Sequence, residues 1–278
     1  MNSQIKARFG ELKIIGQRGT LPLEEKKQKD LELIEYLKSV IANKEVTEFE
    51  EVGFCYWNIS DNYALLRDGH SLRKNHQAFY EHVTSYDKSY LYWLVCDATQ
   101  RLTLETGGYT DWWWLLYREA VSCNSEKTPL FAEFCAHRAA LYKNPVLPTE
   151  QRYLAFALER FRAFLEKEKD TPEYPFYRMI YLTSAAKYTS VDNKEIEALS
   201  KELLPNLLST DESRDFLVGE WKSFATPFGK RECGVVGITS AVNALIDAGE
   251  LKAAKELYQV ACENGLPENV YIVKRLKD

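Results

Sequence analysis

The side chains able to carry chemistry are six cysteines, four histidines and a plentiful supply of carboxylates, and their spacing narrows what they can do. Cys55, Cys96, Cys123, Cys135, Cys233 and Cys262 include no Cys-x-x-Cys pair, so neither a zinc ribbon nor a thioredoxin-type dithiol motif is present. Most sit in apolar runs, such as Trp93 to Cys96 and Phe131 to Cys135, where cysteine behaves as a small buried hydrophobe in a reduced, cytoplasmic chain. Cys233 stands apart, in the glycine-rich stretch Thr226 to Gly237. Lys230, Arg231 and a helix start expected at 238 would lower its thiol pKa, which makes Cys233 the reactive-thiol candidate. The same glycines read as turn formers in a long loop between helices, and this reading is favoured because no histidine within ninety residues could serve as the thiol's base. Thr239 and Ser240 at the expected helix start could hold an anion, but P-loop spacing and its lysine are absent.

The histidines do not form a metal set. His70, His76 and His82 lie six residues apart, which turns each by about 240° around a helix and sends the three to different faces. His137 has only Cys135 nearby, on another side of its helix, and no His-x-x-x-His pair occurs, so no metal and no cofactor is expected. Glu105, Asp111 and Glu119 fall at helix ends or on polar faces and carry no acid and base assignment by themselves.

Aromatic residues are the strongest local anomaly: 15 of the 64 residues from Phe54 to Tyr117 are aromatic, against 13% in the whole chain. Five of six tryptophans are here, Trp57, Trp93, Trp112, Trp113 and Trp114. Three consecutive indoles span about 200° of a helix surface, more than one neighbour can cover. Either this helix is central and covered on two sides, or at least one indole borders an open groove that grips a partner.

The elements around these residues read as helices. Leu31, Ile34, Leu37 and Ile41 form one apolar stripe behind Thr20 and Pro22, and Leu154, Leu158, Phe161 and Leu165 form another behind Thr149. Extending this along the chain predicts twelve or thirteen helices, near 22–43, 47–67, 71–84, 88–105, 110–123, 128–143, 149–169, 173–188, 192–208, 211–224, 238–248, 250–264 and 267–277. Short breaks such as Asp68-Gly69, Asp170 to Pro172 and Ala248-Gly249 make consecutive helices antiparallel, so the expected fold is all-α, a stack of helical hairpins. Residues 1–21 read as an arm with a short strand at Leu12 to Ile15, and 22–278 as a single helical domain.

Thr239 to Pro267 resembles the tetratricopeptide and pentatricopeptide type of helical hairpin. Gly249 stands at the turn, Ala254 is the small residue of close approach, and Tyr258 and Ala261 continue the second helix's core face. The Asn243 to Ile246 run and Gly265 add to the pentatricopeptide likeness. The resemblance implies stacked helices with a concave face for a peptide or protein, and it does not by itself imply an enzyme.

Bulk properties set the remaining bounds. The 278 residues carry a net charge of −5, and acids match or outnumber bases in each successive fifty-residue stretch, which speaks against nucleic acid. No stretch approaches eighteen apolar residues, so no membrane span is expected. The sequence therefore reads as a protein- or peptide-binding helical scaffold, with Trp57, Trp93 and Trp112 to Trp114 at the binding face. An all-α enzyme with an acidic or cysteine-based site is the alternative, and a nucleic-acid-binding solenoid follows it.

Overall fold

The computed structural model describes residues 1, 3–13, 21–102, 110–126, 128, 130–142, 148–190, 192–210 and 229–277. Within them the chain is all-helical, with thirteen α-helices, two short 3-10 turns and no strand. The helix expected over 211–224 lies outside the described residues. The described chain divides into two compact units, one up to Ala136 and one from His137 onward, where the sequence suggests a single run from residue 22.

The first unit opens with α1 (Ser3–Lys13). Ile5, Phe9 and Leu12, at steps of four and three, bury one face of it, and the Phe9 ring meets Phe54 at 5.1 Å. The stretch expected to be a strand is therefore helical at Leu12 and Lys13, while 14–20 lie outside the described residues. Lys13 anchors the helix end through an ion pair to Asp61 at 2.6 Å.

Three antiparallel helices follow: α2 (Leu23–Ala42), α3 (Phe49–Leu66) and α4 (Gly69–Tyr86). The buried stripe of α2 is Leu33, Ile34, Leu37 and Val40, so Leu31 is exposed and Ile41 sits at the edge. Between α3 and α4 the chain turns on Arg67, held in the left-handed region at φ 57°, and restarts on Asp68, whose carboxylate accepts from the Ser71 amide at 3.1 Å.

A 3-10 turn at Lys88–Tyr90 leads into α5 (Leu91–Leu102), in which every residue from Leu91 to Ala98 is buried. Such a run has no solvent face, so α5 is the central rod of this unit, with α3, α4 and α6 (Thr110–Ser122) against it. Residues of α7 (Leu130–Tyr142) up to Ala136 complete the unit.

In the second unit, α8 (Pro148–Glu168) buries Leu154, Ala157, Phe161, Phe164 and Leu165, with Leu158 at the margin. Phe161 and Phe164 meet Tyr181 and Tyr177 of α9 (Tyr174–Ala185) edge-on at 5.2 Å each. Arg178 of α9 holds Glu195 of α10 (Asn193–Leu203) through two hydrogen bonds, at 2.7 and 3.1 Å. A second 3-10 turn, Leu204–Leu208, extends α10.

The next helix corrects the sequence reading. α11 (Lys230–Asp247) starts eight residues before the expected 238, with the Gly229 amide donating to Glu232 at 3.2 Å in its first turn. Gly229 caps the helix start, and Gly234 and Gly237 are interior helix residues, not turn formers. A Cβ at Gly234 would lie 3.1 Å from Asn206 and 3.2 Å from the Leu203 carbonyl, and one at Gly237 would lie 2.7 Å from Leu203 Cδ1. They are bare so that the end of α10 can approach the start of α11. After a turn on Gly249 at φ 79°, α12 (Leu251–Glu263) packs back on α11 through Ala254, Tyr258 and Ala261, and α13 (Val270–Arg275) ends the chain, capped by Asn269.

Candidate functional site

The aromatic cluster is core. Trp57, Trp93, Trp113 and Trp114 are buried, the last two completely, and only Trp112 is half-buried. Trp113 stacks on Tyr117 at 5.4 Å, meets Trp114 edge-on at 5.0 Å, and donates its indole N–H to Thr99 Oγ1 at 2.7 Å. The wide arc of three indoles is thus accommodated by a helix covered on two sides, and these four tryptophans hold the first unit together instead of facing a partner.

Trp112 instead stacks on His76, ring centres 6.0 Å apart, and His76 Nε2 lies 2.9 Å from Asp97 Oδ2. This histidine–carboxylate pair is sealed, its side chains 2% and 0% exposed. The sequence signal for it was an acid inside an apolar run, Asp97 after Leu94, Val95 and Cys96. Asn58, Asn62 and Asn75 continue the buried polar residues of this unit, bonded to the Phe54, Asn58 and Tyr56 carbonyls. No group of three or more metal-ligating side chains occurs among the described residues.

Cys233 lies within α11 and is buried, not in a loop. It borders a cavity of about 230 Å³ that also contains Lys230, Glu173 and Glu202. Burial disfavours a thiolate at this position, which weakens the case for a nucleophile made from Lys230 and Arg231. No disulfide joins any of the six cysteines.

The open concavity of the second unit is a groove of about 430 Å³ between α10 and α12, floored by α11. Gly234 at the start of α11 abuts Leu203 to Leu207 at the end of α10, so these two run antiparallel, and the Gly249 turn reverses the chain again. The two walls, α10 and α12, therefore run in the same direction. Apolar side chains line both: Ile196 and Leu204 on one side, Ala253, Leu257 and Val260 on the other, with Leu245 beneath.

Helix α12 thus carries two apolar stripes. Ala254, Tyr258 and Ala261 bury against α11, while Ala253, Leu257 and Val260 border the groove, Val260 being 42% exposed. The sequence shows this as adjacent apolar pairs at 253/254, 257/258 and 260/261, a signal that a single-stripe reading passes over. Charge differs between the walls. Lys194 and Lys201 stand on α10, where Lys201 pairs with Glu197 at 2.8 Å and thereby lowers that carboxyl's pKa; Glu250 occupies the N-cap position of α12 and Glu256 stands on it.

A second concavity, of about 470 Å³, lies between α2 and α4 over α3 in the first unit. Its floor rings are already engaged: Tyr56 stacks on Phe79 at 5.5 Å, and the Lys38 ammonium sits 5.4 Å over Tyr63. Burial pushes the Tyr56 hydroxyl pKa up, and a hydrogen bond with Tyr63 raises that of Lys38.

No helix of the described residues is long and apolar enough to cross a membrane. Comparison of the chain with protein-family models, with curated proteins and with solved structures finds no match.

Proposed function

We propose that this protein is a helical scaffold that binds an amphipathic helix of a partner protein in the groove between α10 and α12. The observation that carries the reading is the second apolar stripe of α12, which faces an open groove instead of a packed neighbour. A helix that needed only to pack on α11 would present polar residues at 253, 257 and 260.

Both walls and the floor are helices whose backbone groups are bonded internally, so they offer no free strand edge to an extended peptide. The occupant must satisfy its own backbone, which favours a helix with anchors at i, i+4 and i+7. The stripe from Ala253 to Val260 is about 10 Å long, enough for two helical turns of contact. The wall charges that lie outside intrahelical ion pairs, Lys194 and Glu250, favour an acidic flank on the α10 side of the occupant and a basic one toward the start of α12. Six thiols without a disulfide fit a reducing compartment such as the cytoplasm.

Selection from a displayed library of helical peptides against the full-length protein tests this. Selected binders should lose at least tenfold in affinity when Val260→Asp is introduced and keep it with Val270→Asp, at an exposed position outside the groove. Binders indifferent to Val260, or no binders at all, would overturn the reading.

A further inference from the structure

The geometry of the first unit points to Cys135 and Cys96 as a redox modification site, a dithiol that a hydroperoxide converts to a disulfide between α7 and α5. Cys96 is buried on the central rod α5, with its Sγ 3.6 Å from the carbonyl oxygen of Ala132, one helical turn before Cys135 on α7. That contact sets the Cys96 thiol beside the turn of α7 that carries Cys135, and the two side chains interact across it. Cys135 is partly exposed, whereas Cys96 is not. Each therefore has a distinct part: Cys135 can meet an oxidant from solvent, and Cys96 can reach only Cys135.

The interaction with Cys135, reinforced by burial, holds the Cys96 pKa well above the ordinary thiol value, so Cys96 gives up its proton only as the new bond forms. The chemistry balances in two steps. The Cys135 thiolate attacks one oxygen of hydrogen peroxide; the O–O bond breaks, a sulfenic acid forms, and hydroxide leaves and takes up a proton to become water. The Cys96 sulfur then attacks the Cys135 sulfur, the S–O bond breaks, and a second water leaves with the Cys96 proton. Two thiols are oxidised to one disulfide and one peroxide is reduced to two waters. The new bond would close the chain around α6, tying the helix that carries Trp112 to Trp114 between α5 and α7.

The test uses the full-length reduced protein, exposed to excess hydrogen peroxide, alkylated with iodoacetamide and mapped by non-reducing peptide mass spectrometry. The expected result is one dominant linked pair containing Cys96 and Cys135, lost on addition of dithiothreitol, with Cys123 and Cys262 recovered unlinked; these two thiols are also partly exposed and act as internal controls. In Cys96→Ser the sulfenic acid on Cys135 should persist and be trapped by dimedone. Recovery of Cys135 from the oxidised wild type as free thiol or sulfinic acid without linkage to Cys96, or scrambled linkage among all exposed cysteines, would overturn the proposal, and the wild-type map decides this even if Cys96→Ser fails to fold.

Discussion

His76 and Asp97 form a buried hydrogen-bonded pair, Nε2 to Oδ2 at 2.9 Å, joining α4 to the central helix α5 where neither side chain meets solvent. Removing one partner of a buried hydrogen bond leaves the other desolvated and unsatisfied, at a cost of about 1–3 kcal/mol. Asp97→Ala should therefore lower the unfolding free energy by about that amount in urea titration, while Asp97→Asn, which keeps an acceptor oxygen, should lose less. Equal losses from the two variants would show that the hydrogen bond to His76 contributes little.

The four buried tryptophans predict a separation of stability from binding. Trp113→Ala should cost about 3–5 kcal/mol, the usual range for a large aromatic lost from a core. Trp112→Ala, at a half-buried position, should cost less. In either case the folded fraction should bind a groove ligand with unchanged affinity, as titration calorimetry on the native fraction would read.

Much of this fold was legible because helical period is a local property. The stripes of α2 and α8 are visible within twenty residues, whereas the arc of Trp112 to Trp114 fits a second covering helix and an open groove alike, and only packing decides between them. The start of α11 was misread because glycine usually marks a turn, and only the approach of Leu203 and Asn206 explains bare positions inside a helix. The groove was hidden for the same reason: its walls, Asn193–Leu203 and Leu251–Glu263, are about fifty residues apart, and only packing makes them neighbours. His76 and Asp97, on separate helices, are likewise joined only by the fold.

Burial lowers the His82 pKa below its ordinary value, with a smaller opposing effect from the hydrogen bond to the Phe49 carbonyl at 3.0 Å. The unfolded chain then binds more protons than the folded one between the lowered folded pKa and the unfolded value near about 6.5. Stability from this site is present above that window and is lost as pH falls through it. The urea midpoint should decline from pH 7 toward pH 5, and His82→Gln should flatten that slope; a slope identical in the variant would assign the effect to other groups.

Thiol reactivity should follow burial. The Cys55 thiol is pushed up to about 12 by burial, so at pH 8 it is almost entirely protonated as well as shielded. Iodoacetamide should label Cys123 and Cys262 within minutes and Cys55 only on unfolding. Cys233, buried in α11, should also lag. Rapid labelling of Cys233 in the native protein would restore it as a nucleophile.

Gly237 links the packing of the second unit to its groove. An alanine there would put a Cβ 2.7 Å from Leu203 Cδ1, and Leu203 is itself buried at the end of α10. Leu203 would have to leave its rotamer or α10 would have to move off α11, at a cost of about 1–3 kcal/mol. Since α10 is one wall of the groove and α11 its floor, a shift of α10 changes the width between Leu204 and Val260. Gly237→Ala should therefore weaken a groove-bound helix as well as lower stability. Gly249→Ala, which strains the turn at φ 79° but meets no atom within 4 Å, should lower stability and leave affinity intact. Measuring both quantities in both variants separates the two effects: equal affinity losses would mean that the groove responds to stability in general and not to the placement of α10.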